Sequence, residues 1–556
     1  MTSKPEQPGW VIADVWESIA ATRPDTDAII FGAEHISWSE FDHRADAVAA
    51  DLLGCGLRHQ SKVAFFVRNS PAFLIGVFAC LKAGFVPVNT NFRYGAKEAA
   101  SLWDDADAEC VIFSGSLSEV AAAGRPLAPR VGAWRWVDDQ ASPCPSWAGP
   151  FEGGPFEAGR QPAPRAAAPW ARSADDLIML YTGGTTGAPK GVLWRQDDVF
   201  AILNASAAIR YRADRGLAGV AATQREDRRA RPRFVPCGPL VHGTAAFSSY
   251  AVLGAGGAVI LLEGRSFDAA GLLDVIDREQ VSQLSIIGEA HARPVIDQLE
   301  ARPGHWSLSS VRLITSAGMQ LSRETRGRLL AHMPRALCVD VLGSSEAPSV
   351  GLARSTVSSL APSGAFAIGP GVAVLDEDDK DVRPGSGAVG VLAVKGGRSP
   401  LGYYKDPERT RRLFATVDGE RWVITGDLAT VGADGTVQLL GRGTTVINTG
   451  GEKVYAREVE EALMRNPAVA DAVVAGIPHE VLGQMVVALV QPRRGALLDT
   501  ADLIAELRQA LAAYKVPRQI HIAESVGRSD NGKVDYPRLV RRLSELTARE
   551  RRRTNY

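Results

Sequence analysis

Several short stretches of this chain end an apolar run with residues that could bind or transform a charged ligand. The first is Thr182-Gly183-Gly184-Thr185-Thr186-Gly187-Ala188-Pro189-Lys190-Gly191, which follows Leu177-Ile178-Met179-Leu180, a short buried strand. Its glycines let the backbone turn and gather N–H groups, its threonines add hydroxyls and Lys190 adds a cation, a set suited to a polyphosphate. The spacing is not that of the Walker loop, because Lys190 is followed by Gly191-Val192 instead of Ser or Thr. A plain glycine-rich connection is the other reading of this stretch by itself. Leu313-Ile314 runs into Thr315-Ser316-Ala317-Gly318, small residues that let a flat ring approach the backbone. Val339-Asp340-Val341-Leu342-Gly343-Ser344-Ser345-Glu346 repeats the arrangement and ends in two hydroxyls and a carboxylate. In Trp422-Val423-Ile424-Thr425-Gly426-Asp427, the two oxygens of Asp427 suit both hydroxyls of a ribose, unless it is simply a turn carboxylate. His242 lies in Pro239-Leu240-Val241-His242-Gly243, and Asn531-Gly532-Lys533 projects a lysine from a tight turn. A lone histidine is usually structural and a turn lysine is usually solvated.

The elements that must position these groups alternate. Ser39 can cap a helix whose apolar residues Phe41, Ala45, Val48, Ala49, Leu52 and Leu53 recur at helical spacing, with Gly54 stopping it. A strand over Val63–Val67, a helix over Pro71–Lys82 and a strand over Val86–Val88 follow, which predicts a largely parallel sheet covered by helices. Residues 142–170, rich in proline and glycine, read as a loop or linker. The Arg-rich stretch 212–233 reads as a solvated surface loop, with a phosphate or partner contact as the other reading. Beyond residue 445 the pattern gives a helix over Arg457–Arg465, strands over Ala472–Ile477 and Val486–Val490, an amphipathic helix over Ala501–Tyr514 and a charged tail at Arg549–Arg553.

The 556 residues exceed one ordinary domain, and 46% hydrophobic with 22% charged residues describe a globular chain with ample core. The 62 basic and 63 acidic residues leave a net charge of −1, which excludes a global attraction for nucleic acid or anionic membrane, so any anion site is local. The six cysteines are scattered without metal-ligand or disulfide spacing and read as reduced thiols. No signal segment opens the chain and no apolar run reaches the roughly 18 residues a bilayer needs, so a cytoplasmic protein is expected. Peripheral membrane contact and a homodimer are both compatible with this reading.

Six of these stretches, in order along nearly the whole chain, resemble the motifs of the adenylate-forming (ANL) superfamily, which includes acyl-CoA synthetases. Gly-Gly-Thr-Thr-Gly with Gly-Ser-Ser-Glu is closest to the actinobacterial-type long-chain and steroid-side-chain acyl-CoA synthetases. The resemblance implies an α/β fold: a large N-terminal region of several subdomains with mostly parallel sheets over 1–441, a hinge over 442–445 and a small mobile C-terminal α+β domain over 446–556. It implies ATP, Mg²⁺ and coenzyme A (CoA) as cofactors, and formation of an acyl-CoA from a medium- or long-chain fatty acid or a steroid side-chain acid through an acyl-AMP. The rival readings are an acyl-AMP ligase serving a carrier protein and a catalytically silent scaffold. By motif, Thr182, Gly183, Gly184, Thr185, Thr186, Gly187 and Lys190 would hold phosphates, and Ser316, Ala317 and Gly318 the adenine. Gly343, Ser344 and Ser345 would hold phosphate, with Glu346 and Thr185 on the metal. Asp427 takes the ribose and Arg442 the ribose or phosphate. His242 would lie beside the reacting carboxylate and Lys533 would act at the reaction centre. Gly450, Gly451 and Lys453 would face the pantetheine channel. Two departures stand out: Leu342 where the family has an aromatic against adenine, and Thr444 where it has a charged hinge residue. Ala245, Ala246, Phe247, Tyr250, Ile286, Ile287 and Gly288 form an acyl tunnel or core on this reading.

Overall fold

The computed structural model describes all residues except 1–8, 152–164, 183–189, 320, 418, 443–445, 450–451, 480–481, 512, 530–531, 533 and 555–556. Among the described residues the strands form three sheets, of 14, 8 and 5 strands. The largest sheet has a parallel block in which Leu337–Leu342, Leu313–Ser316, Gln283–Ile286, Arg233–Pro236 and Ala258–Leu261 lie side by side in that order. These strands therefore release their following loops at one edge, where open α/β sheets bind ligands. Beyond Leu337–Leu342 the same sheet continues antiparallel through Gly351–Ser355, Ala365–Ile368 and Val437–Arg442 to Glu420–Val431. That antiparallel half was not expected from the alternation of helices and strands in the first 115 residues.

The eight-stranded sheet sets Leu177–Thr182 parallel to Val86–Asn89, and Val86–Asn89 parallel to Lys62–Phe66. Between the two large sheets lies the Pro71–Ala83 helix, every residue of which is buried. The Gly243–Gly254 helix packs with it: Phe78, Trp16, Phe41 and Tyr250 form one aromatic cluster with centroids 4.9–5.9 Å apart. The five-stranded sheet carries the Ala456–Met464 and Thr500–Ala510 helices on one face and Tyr536–Thr554 on the other. No helix among the described residues is long and apolar enough to cross a membrane.

Several local expectations need correction. The second helix runs Trp38–Gly54 and is capped by Ser37, whose Oγ accepts from the Glu40 amide at 3.2 Å, instead of by Ser39. Trp38 thereby enters the helix and is fully buried against Phe41. The Arg-rich stretch is not a plain loop: it contains the Gly216–Glu226 helix, with Val220 and Gln224 buried. Arg231 bonds Gln224 Oε1, and Arg233 bonds Asp27 and Glu279, so part of its charge is turned inward. The helix expected to reach Tyr514 stops at Ala510, and the chain turns to bring Lys515 to Glu458 at 2.7 Å. Arg549–Arg553 lie in the last turns of the Tyr536–Thr554 helix and are not a separate tail.

Candidate active site

The phosphate-loop candidate closes a hairpin. Leu177–Thr182 pairs antiparallel with Lys190–Arg195, down to the pair Thr182 with Lys190, so residues 183–189, which lie outside the described ones, bridge two paired strand ends. The approach is clamped twice. Asn89 accepts from the Tyr181 amide at 2.6 Å and donates to the Tyr181 carbonyl at 2.8 Å, while the Tyr181 hydroxyl donates to Asp105. Burial and the adjacent Asp105 push the Tyr181 phenol far above its usual range, so it stays a donor.

Asn89 Nδ2 also donates to the Val241 carbonyl at 2.6 Å, which ties the hairpin to the turn before His242. That turn is held on its other flank by Asn69, which accepts from the Leu240 amide at 2.8 Å and donates to the Gly238 carbonyl at 3.2 Å. His242 then caps the Gly243–Gly254 helix in an extended conformation. A Cβ at Gly243 would lie 2.9 Å from Leu180 and 3.3 Å from Ser345 Oγ. Glycine here lets the hairpin, the histidine turn and the Ser344–Glu346 turn approach one another.

The turn after Leu342 is folded tightly on itself. The Ser344 amide donates to the Ala347 carbonyl, Val350 to the Leu342 carbonyl, and Ser344 Oγ accepts from the Glu346 and Ala347 amides. A Cβ at Gly343 would stand 2.8 Å from the Ser349 amide nitrogen, so only glycine fits. Leu342 is buried with Ala347, Val350 and Phe366, so its side chain is core. The carboxylate of Glu346 accepts from the Tyr403 hydroxyl at 2.8 Å, and Lys190 Nζ lies 5.3 Å from the centroid of the same ring. Trp194, in the returning hairpin strand, donates to the Ser345 carbonyl at 3.0 Å.

Ser316 is buried, while Ala317 and Gly318 emerge at the strand end. Beneath them Arg326, fully buried, bonds Asp340, Ser355 Oγ and the carbonyls of Leu321 and Ala361, tying the two neighbouring turns together. Asp427 is half-buried, opposite Arg442 in the antiparallel ladder, with its amide donating to Thr425 Oγ1 at 3.2 Å. Gly426 before it holds φ of +75°, which favours glycine. Gly532 packs on the large region: a Cβ there would be 3.1 Å from Met319 and 3.3 Å from Ile287. Thr185, Thr186, Gly183, Gly184, Gly187, Gly450, Gly451 and Lys533 lie outside the described residues, as do the side chains of Arg442 and Lys453.

Of the expected acyl-tunnel residues, Ala246, Phe247 and Tyr250 line a cavity of about 20 Å³ with Phe65, Leu180 and Leu240, beside the Asn89 clamp. That is room for about one water. Ile287 stands across the histidine turn, 3.2 Å from where a Cβ of Gly238 would be.

The profile of the AMP-binding enzyme family matches residues 16–404, and that of its C-terminal domain matches residues 458–533. The chain belongs to the AMP-binding enzyme family. Relatives in it include a medium/long-chain-fatty-acid–CoA/3-oxocholest-4-en-26-oate–CoA ligase of Mycolicibacterium smegmatis, 36% identical over 94% of this chain and 95% of that one. A 3-oxocholest-4-en-26-oate–CoA ligase of Rhodococcus rhodochrous is 34% identical, over 94% of each chain. Among solved structures, ATP-bound MatB from Rhodopseudomonas palustris superposes with a TM-score of 0.77 at 25% identity, over 96% of this chain and 99% of that one. The anthranilate CoA ligase AuaEII in complex with anthranoyl-AMP shares the family's fold, with a TM-score of 0.81 at 19% identity over 99% and 100%.

The sequence reading missed Asn89, Asn69 and Trp194 as positioning residues. Asn89 carried a usable signal: a polar residue that closes the apolar run Val86-Pro87-Val88 and is buried at 8% exposure.

Proposed function

We propose that the protein is an ATP-dependent acyl-CoA ligase that converts a medium- or long-chain fatty acid, or a steroid side-chain acid, to its acyl-AMP and then to acyl-CoA. The observation that supports this best is Tyr403, which carries Lys190 over its ring and Glu346 on its hydroxyl, joining the cation we assign to phosphate to the carboxylate we assign to Mg²⁺. The substrate class rests on the names of the relatives.

A carboxylate acylates poorly because oxide is a bad leaving group. Attack of its oxygen on the α-phosphorus of ATP expels pyrophosphate and turns that oxygen into part of AMP, which leaves when the CoA sulfur attacks the acyl carbon. No side-chain nucleophile is needed, so the protein's task is positioning and charge. In our reading Thr182, the Gly183–Gly187 loop and Lys190 bind the phosphates, Ser344 and Ser345 add hydroxyls, Ser316–Gly318 flank adenine, and Asp427 and Arg442 hold the ribose. His242 orients the acid and Lys533 neutralises charge at the reacting oxygens.

Glu346 and Thr185 would hold Mg²⁺. The donor chemistry fits, since Mg²⁺ commonly takes one or two carboxylates and completes its shell with phosphate oxygens and water. When bound, it would offset phosphate charge. Residues 442–445 would form the hinge, with Thr444 in the family's charged position, and Gly450, Gly451 and Lys453 would meet CoA after the C-terminal domain turns.

Mass spectrometry of products from ATP, Mg²⁺, CoA and a panel of acids tests the reading: short, medium and long fatty acids, a steroid side-chain acid and benzoate. Acyl-CoA with AMP is the expected result. Adenylate without thioester would point to transfer onto a carrier protein, and no AMP from any acid would overturn the proposal. Lys533→Ala should lower adenylate formation on the order of 10²-fold, by analogy with deletion of one oxyanion donor. Adenylation at the wild-type rate would remove Lys533 from the reaction centre.

A further inference from the structure

Among the described residues the C-terminal unit reaches both the Gly288–Ala301 helix of the large region and Ile287 just before it, and the contact within the helix has no part in the chemistry above. Arg293 lies six residues beyond Ile287, in the Gly288–Ala301 helix, with its side chain 16% exposed. Its Nη1 donates to the carbonyls of Val469 at 3.2 Å and Ala470 at 3.1 Å, at the start of the Val469–His479 strand of the C-terminal sheet. Its Nε is bound by Glu289 in the same helix. Glu289 in turn accepts from the Ser322 amide at 2.8 Å and from Thr325 Oγ1 at 2.9 Å. The guanidinium is therefore fixed before it reaches across.

On the far side, the next residue along the strand, Asp471, is held by Arg528 through two bonds of 2.7 and 3.1 Å. Arg528 also donates to the Gly532 carbonyl at 3.3 Å. Gly532, adjacent to Lys533 in the chain, packs back on Ile287 and Met319. The path leaves the helix at Arg293, runs through Ala470, Asp471, Arg528 and Gly532, and returns to the residue that begins the helix. Such a closed path fixes one orientation of the C-terminal unit.

We propose that Arg293 is a positioning residue, a latch that holds the C-terminal unit in the orientation used for adenylation and so sets the balance between the two half-reactions. The proposal rests on the acyl-CoA ligase reading, which supplies two half-reactions with different orientations. Loss of the latch weakens the first step. The second step requires the unit to leave this orientation, so the same loss costs it nothing.

The test uses the full chain in two assays: acyl-AMP formation without CoA, and thioester formation from supplied acyl-AMP and CoA. Arg293→Ala should slow the first on the order of 10-fold, the scale of one lost charge-assisted hydrogen bond, and leave the second unchanged or faster. Arg293→Lys, which keeps a charged donor, should fall between. Arg328→Ala removes the Arg328–Glu300 pair, which joins the Arg323–His332 helix to the far end of the Gly288–Ala301 helix, and should leave both steps unchanged. An unaltered first step, or an equal fall in both, overturns the latch. Hydrogen exchange reads it without substrate: Arg293→Ala should speed exchange in peptides covering 286–289 and 526–535, and unchanged exchange there overturns it. A wild type that makes no adenylate from any acid overturns the ligase reading instead, and the exchange result then decides the latch.

Discussion

Asn89 shows how much of the candidate site depends on a single buried side chain. Its amide satisfies both backbone groups of Tyr181 and the carbonyl of Val241, all buried. Asn89→Ala leaves these groups unpaired, at about 1–3 kcal/mol for each buried polar group left unsatisfied. We expect Asn89→Ala to lower the unfolding free energy in urea by several kcal/mol and, on the proposed reading of the 183–189 loop as the phosphate binder, to raise the KM for ATP because the hairpin loses its anchor. A variant with unchanged urea midpoint and unchanged KM would show that the hairpin is held by its ladder alone. The sequence singled out Glu346 and Asp427 because an apolar run, a glycine and a carboxylate follow one another within a few residues, and the structure sets Glu346 in a turn after its strand but Asp427 within one. Arg293 was not legible there, since its partners lie 176 and 177 residues away, and Asn89 was legible only as a polar residue closing an apolar run, because packing alone brings it its partners 92 and 152 residues away.

At the scale of elements, the parallel strands and their glycine-rich ends followed from apolar runs bounded by turn residues. The antiparallel half of the largest sheet was hidden because part of its pairing joins distant segments, as Ala365–Ile368 with Val437–Arg442, which no local pattern announces. Helix limits slipped where tertiary contacts outweighed local signals, as at Trp38 and Ala510. The Gly288–Ala301 helix carries a further dependence on surroundings. His291 stacks on Phe267 at 4.2 Å and its Nδ1 accepts from the Ile287 amide at 3.3 Å. Burial lowers its pKa from 6.5 to about 4. Above pH 6.5 the ring is neutral whether folded or not, and the site contributes its full stability. As pH falls below 6.5 the unfolded chain takes a proton that the folded one refuses until about pH 4, so stability is lost across that window. Between pH 7.5 and 5 the loss should reach about 2 kcal/mol. Urea unfolding of the wild type and His291→Gln across this range checks it: the stability difference between them should shrink by that amount, and a flat difference would exonerate the histidine.

At the scale of the whole molecule, two sheets built from distant parts of the chain meet over one helix, and the C-terminal unit packs beside the larger of them. The Gly402–Tyr403 strand pairs with Val192 and Leu193 of the hairpin and also carries the ring that joins Lys190 to Glu346. The large region therefore completes its hairpin sheet with nearly its last segment. This ordering has a consequence for synthesis. With the nucleotide site as proposed, a nascent chain must extend past Tyr403 before that site is complete, ATP then assists folding of nothing shorter, and the long sequence separation makes assembly slow. A fragment ending at Lys395 should show no stabilisation by ATP in a thermal melt, whereas one ending at Gly441 should. Equal stabilisation of both would mean that the hairpin acquires its nucleotide-binding shape without the strand that closes it.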